Sequence, residues 1–134
     1  LTTQQLKEWN DEGIVTWLGY RTDVAELLTQ IHIVCLPSYR EGFGKVFVEA
    51  GAALRAVVAT DVPGCREAVE HQVNGLLVEP KNSEALAAAL IEVLDNDEFR
   101  LRLAKEGRRR AEFEFSSATV NTQTLAVYQQ VLTQ

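Results

Sequence analysis

The amino-acid sequence predicts an α/β fold: a parallel sheet flanked by helices and followed by a helical tail. Three observations lead there. Short apolar, β-rich runs alternate with stretches of helical periodicity, the connections between them are short, and beyond residue 83 the apolar residues recur only at helical spacing. Strands separated by helices require right-handed crossovers and parallel pairing. The 134 residues suffice for one domain, and 46% apolar with 24% charged residues is the composition of a globular chain.

Each element has a local reason. Leu6 and Trp9 lie three apart in a polar stretch that stops at Gly13, which predicts a short helix. Residues 14–18 are β-rich and closed by Gly19, which predicts a strand. Val24, Leu27 and Leu28 recur at helical spacing behind two capping candidates, Thr22 and Asp23. Residues 31–36 form a near-continuous apolar run stopped by Pro37, as in a strand covered on both faces, with Cys35 read as a core thiol. The loop 37–44 leads into a helix over 45–54, a strand over 56–60, the turn 61–64 and a short helix over 66–71. The Asn74-Gly75 turn then precedes a strand over 76–79. Ser83 caps a helix with Leu86, Leu90, Ile91 and Leu94 on one side. Asp97 and Glu98 open another that ends at Arg108, Arg109 and Arg110, charges that complement the macrodipole at both ends. Ser116 or Ser117 starts the last helix, which carries Val120, Leu125, Val127, Tyr128, Val131 and Leu132.

Composition excludes several functions. Thirteen basic against nineteen acidic residues give a net charge of −6, the wrong sign for coating nucleic-acid phosphates. No apolar run approaches the roughly twenty residues that span a bilayer and no signal peptide opens the sequence, so a cytoplasmic location is expected. Cys35 and Cys65 are too few for a disulfide scaffold and lack metal-ligand spacing. Cys65 sits beside Gly64 at an expected helix start, and the inert reading of its thiol is favoured. The absence of methionine, and a start at Leu1 inside a helical stretch, suggest a piece of a longer protein.

Ligands of parallel sheets bind beyond the carboxyl ends of the strands, which singles out the loops 19–23, 37–44 and 60–65. The most informative segment is Glu41-Gly42-Phe43-Gly44-Lys45-Val46-Phe47-Val48-Glu49. Glycines at the helix start let the backbone approach a ligand with its amides pointing outward. At about 100° per residue, Val46, Phe47, Ala50, Ala53 and Leu54 share a face with Glu49 on its border. Glu41 stands before the helix at the mouth of the crevice. Two carboxylates in one crevice suit a ligand with vicinal hydroxyls. Spacing alone favours the plainer reading, an ordinary Lys45–Glu49 surface pair and a loop carboxylate near a helix start.

Pro37-Ser38, Glu41-Gly42-Phe43-Gly44 and Glu49-Ala50 together resemble the signature of retaining glycosyltransferases of family 4, a GT-B fold group. Trp17-Leu18-Gly19, Val57 to Thr60 with Gly64 and Glu67, Asn74 to Val78 with Pro80, and Phe115-Ser116 with Tyr128 extend the resemblance over nearly the whole chain. The resemblance implies a Rossmann-like domain, the C-terminal, donor-binding half of a GT-B protein. Its ligand is expected to be a nucleoside-diphosphate sugar of UDP or GDP type, with no metal and no further cofactor. Glu41 is the expected catalytic residue, touching hydroxyls of the transferred sugar, while Glu49 holds the ribose diol. Gly42, Phe43 and Gly44 approach the sugar and phosphates, Tyr20 and Arg21 lie near the nucleobase, and Thr60 and Gly64 border the cleft.

The implied partners are a missing N-terminal domain of the same protein, a saccharide or glycolipid acceptor, and a peripheral membrane contact made by the full-length protein in polysaccharide assembly. Leu54 and Ala56 depart from the family's usual Gly and Pro, Gly51 from a larger apolar residue, and Ser117 from a frequent tryptophan. The Arg and Lys that usually clamp the diphosphate lie upstream, so the chain alone is expected to be inactive. The alternative is a non-catalytic nucleotide-binding or interaction module of the same fold.

Overall fold

The computed structural model describes residues 2–132, and Leu1 lies outside them. In chain order the elements are α1 (Thr3–Asp11), α2 (Val24–Gln30), β1 (Ile33–Leu36), α3 (Lys45–Ala52), β2 (Ala56–Thr60), α4 (Pro63–Arg66), β3 (Leu76–Val78), α5 (Ser83–Asp95), α6 (Asp97–Phe113) and α7 (Ser117–Leu132). The three strands form a parallel sheet in the order β1-β2-β3, with Val34 opposite Val57 and Val58 opposite Leu76.

β2 is buried along its whole length, and its alternation divides the core. Val57 and Ala59 face a cluster with Leu28, Val34, Phe47, Cys65 and Val69, whereas Ala56 and Val58 face Leu76, Ala89, Val93 and Leu103. Helices therefore cover both faces of the sheet, as the sequence pattern predicts. Among the described residues no helix is long and apolar enough to cross a membrane.

Several local expectations are corrected. Residues 14–18 form no strand. Their amide donors turn back onto α1 instead: Ile14 N–H bonds Trp9 O at 2.9 Å, and Trp17 N–H bonds Asn10 Oδ1 at 2.9 Å. Ile14 and Leu18 are exposed as a result.

Cys35 is exposed rather than buried. It pairs with Val58 and so faces the α5–α6 side, but those helices pack over β2 and β3 and leave the edge strand uncovered. Desolvation still raises its thiol pKa. Cys65 is fully buried, and burial raises its thiol as well, which agrees with an inert role.

The short helix lies at Pro63–Arg66, earlier than residues 66–71. Proline at its first position sets the required φ immediately after Val62. Downstream, the buried Asn74 side chain accepts from Glu70 N–H at 2.7 Å and donates to Ala68 O at 2.9 Å, bonding that diverts the chain from a continued helix. Asn82, not Ser83, caps α5 through Ala85 N–H at 2.9 Å. The buried stripe of α5 is Ala89 and Val93, with Leu86 and Leu90 partly covered and Ile91 and Leu94 exposed.

Two departures noted in the sequence acquire structural meaning. A Cβ at Gly51 would lie 2.6 Å from Gly107 O, so Gly51 lets α3 and α6 touch backbone to backbone. Leu54 adopts φ +57°, a conformation that favours glycine.

Candidate functional site

The loop after β1 and the first turn of α3 meet α4 at the carboxyl edge of the sheet. Gly64 of α4 makes this possible, because a Cβ there would collide with the backbone carbonyl of Glu41. Its own carbonyl accepts Gly44 N–H at 3.2 Å. Gly64 is thus a packing residue that locks the loop, and the Gly44 amide is committed inside the protein.

Glu41 is half-buried. Ser38 Oγ donates to its Oε2 at 3.3 Å, and the Ser38 carbonyl in turn accepts the hydroxyl of buried Thr60. The end of β2 is therefore coupled to the Glu41 carboxylate through one residue. Glu41, Gly42, Tyr39, Arg40 and Pro63 line a hollow of about 350 Å³. Gly42 is exposed, with open space where a side chain would stand.

Glu49 lies one turn into α3, where Lys45 Nζ approaches its Oε1 at 3.7 Å. Both side chains are well exposed, so this pair contributes at most about 0.5 kcal/mol and is easily replaced by a ligand. Glu49 lines a groove of about 480 Å³ between α2 and α3, with Thr22, Leu28 and Ala53. The two glutamates therefore line separate hollows. Glu41 turns toward α4 and Glu49 toward α2, with the start of α3 between them.

Other expected residues fall at different depths. Tyr20 is 93% exposed. Arg21 is held by the carboxylate of Asp23, which raises the guanidinium pKa and lowers that of the carboxyl. That ion pair removes Asp23 from the side-chain cap of α2. Thr60 is buried and bonded as described. Phe43 projects half-exposed from the loop, its ring 5.6 Å from that of Phe115 at a tilt of 57°.

Phe115 is a site-supporting residue that sequence periodicity missed, since it lies in the break between α6 and α7. Arg110, behind it, ties the same region to Glu114 at 2.9 Å and to Asn74 Oδ1 at 3.2 Å. Arg108 bonds Glu112 at 2.5 Å and the Ala52 carbonyl, and Arg109 bonds Glu106 at 2.6 Å, so the arginine cluster is structural. Among the described residues no group of three or more His, Cys, Asp or Glu could hold a metal ion.

A parallel sheet covered on both faces, with a glycine-locked loop at its carboxyl edge and a helical tail, has the fold of the C-terminal domains of GT-B glycosyltransferases. Residues 3–110 match the glycosyl transferases group 1, and the chain belongs to that family. A relative from Campylobacter jejuni, N,N'-diacetylbacillosaminyl-diphospho-undecaprenol alpha-1,3-N-acetylgalactosaminyltransferase, is 34% identical over 93% of this chain and 33% of its own length. The crystal structure of Anabaena HepE in complex with UDP superposes with a TM-score of 0.86 at 31% identity, covering 95% of this chain and 35% of that one. HepE has also been solved with UDP-glucose. The C-terminal domain of Francisella tularensis LpcC has the same fold, with a TM-score of 0.72 at 24% identity over 85% of this chain and 62% of that one. The chain spans about one third of the length of the curated relatives it matches.

Proposed function

We propose that this chain is the donor-binding part of a retaining glycosyltransferase that moves a sugar from a UDP-sugar to a saccharide or lipid-linked acceptor. One observation carries the reading: two glutamates flank the start of α3, each lining its own hollow. An extended ligand with hydroxyls at both ends and a diphosphate between can engage both hollows, each glutamate accepting from one end. The ribose lies at Glu49, the diphosphate passes the amino end of α3, whose dipole favours negative charge, and the transferred sugar reaches Glu41 beside Gly42 and Phe43. Tyr20 and Arg21 stand on the nucleobase side, next to Thr22 of the Glu49 groove. The UDP complex of HepE supports uridine, and the undecaprenol-linked substrate named for the Campylobacter relative supports a lipid-linked acceptor met at a membrane surface.

Transfer breaks the bond between the anomeric carbon and the phosphate oxygen, and the electron pair leaves with the diphosphate. The acceptor oxygen bonds to the anomeric carbon on the same face, and its proton passes to the departing phosphate. Positive charge builds on the sugar, where the Glu41 carboxylate stabilises it, and negative charge builds at the start of α3. The remaining, upstream part of the full-length protein supplies the acceptor-binding domain and the cations that clamp the diphosphate.

Titration calorimetry of the full-length protein tests this. Glu49→Ala is expected to weaken UDP binding by about tenfold or more, the loss of a charged pair of hydrogen bonds. Glu41→Ala is expected to spare UDP and to lower UDP-glucose affinity toward that of the bare nucleotide. Equal affinities in all three proteins would end the reading, and a parallel titration with GDP decides the nucleotide.

A further inference from the structure

A third hollow, of about 500 Å³, opens at the same edge of the sheet and shares no lining residue with the Glu49 groove. All three strands end in it: Pro37 follows β1, Thr60 closes β2, and Glu79 follows β3. Tyr39 lines both this hollow and the one that holds Glu41. A group seated here therefore sits beside whatever Glu41 holds.

The walls are of two kinds. Pro37, Leu86 and the Tyr39 ring are apolar, whereas Glu79, Lys81 and Ser83 bring an acceptor, a cation and a hydroxyl. Lys81 Nζ lies 5.7 Å from the centre of the Tyr39 ring and makes no ion pair among the described residues, although Glu79 is two residues away. Glu79 Oε2 instead faces the Asn82 amide at 3.5 Å. The ammonium thus rests on an aromatic face in an exposed position, where such an attraction is weak and easily exchanged for a ligand oxygen.

A pyranose matches these walls. Its C–H face is apolar and covers a phenol ring, and its rim of hydroxyls both donates to a carboxylate and accepts from an ammonium. An isolated phosphate fits poorly, because Glu79 would face it and Lys81 is the hollow's sole cationic side chain. We propose that the Tyr39–Lys81 hollow is this domain's contribution to acceptor binding, complementing the upstream acceptor-binding domain and holding a saccharide ring with its nucleophilic hydroxyl toward the Glu41 hollow. The inference rests on the donor reading above, because Glu41 marks where the anomeric carbon lies.

Saturation-transfer NMR on the full-length protein tests it, with the methyl α-glycosides of glucose, galactose, mannose and N-acetylglucosamine as probes and UDP present. At least one glycoside should bind, with affinity falling about tenfold in Tyr39→Ala and severalfold in Lys81→Glu, while Lys81→Glu leaves UDP affinity within about twofold. Inorganic phosphate should not displace the glycoside.

Three results would overturn the proposal: no glycoside bound at tens of millimolar, binding indifferent to both substitutions, or displacement by phosphate. Failure of the donor reading is separately visible, since it would show as UDP binding that Glu49→Ala does not change.

Discussion

The sheet interior and the chain's two outlying segments carry similar apolar residues and place them oppositely. Around β2, Val57, Val58 and Leu103 are at most 2% exposed, held between α3, α6 and the neighbouring strands. In residues 14–18 and in α7, Ile14 is 64% and Leu132 is 83% exposed, and α7 buries none of its residues. Apolar side chains are plentiful in both regions. What differs is whether another element stands opposite, so the amphipathic pattern records a surface available for burial, not a surface that this chain buries itself.

The largest expected effect tests that contrast directly. Leu103→Ala removes a fully buried side chain from the α6–β2 contact and should cost about 3 kcal/mol. Leu125→Ala, on the exposed tail helix, should change stability by less than about 0.5 kcal/mol. Urea denaturation of both variants checks the pair. Similar shifts would mean that α7 is packed in solution and that the two regions are energetically alike.

The same contrast explains how much was legible in advance. The order of elements around β2 was readable because each apolar run there meets a covering helix. Residues 14–18 misled because β-rich composition cannot report that their amides bond α1. Cys35 misled because an apolar run does not reveal which strand is the sheet edge. In the candidate site, the motif around Glu41 and Glu49 located the loop and the helix start. It did not reveal that the loop carboxylate of Glu41 and the helix carboxylate of Glu49 line different hollows, because that depends on Pro63 of α4 standing beside one and α2 beside the other. Nor could it expose Tyr39 as shared between two hollows, or Gly64 as a lock on the loop, since both follow from contacts distant in sequence.

A smaller effect sharpens the comparison at the border between the regions. Leu54 lies two residues beyond α3 at φ +57° and is about half exposed, so its side chain gains little burial while its backbone is strained. Leu54→Gly should therefore stabilise the protein by about 1 kcal/mol, since glycine adopts this conformation without a Cβ penalty. The check is a rise in the thermal midpoint. A fall would mean that the Leu54 side chain contributes more to the interior than its exposure suggests.

The smallest effect concerns the edge of the site and appears only in acid. Arg66, at the end of α4, bonds Asp61 Oδ1 at 2.5 Å and the Asp61 carbonyl at 3.2 Å, bracing the turn that carries Gly64. The hydrogen bond from Arg66 holds the Asp61 carboxyl below its ordinary value of 3.8. A carboxyl with a lowered folded-state pKa binds its proton more readily when unfolded, so the stabilisation is complete above that ordinary value and fades as pH falls through the lower folded one. Both side chains are well exposed, and solvent keeps the contribution small. Asp61→Asn should thus lower stability slightly at neutral pH and flatten the decline below about pH 4, with the two proteins converging at the acid end. Parallel urea titrations between neutral pH and pH 3 measure this directly. No difference at any pH would show that the Asp61 carbonyl, which the substitution keeps, and not the carboxylate, braces the α4 turn.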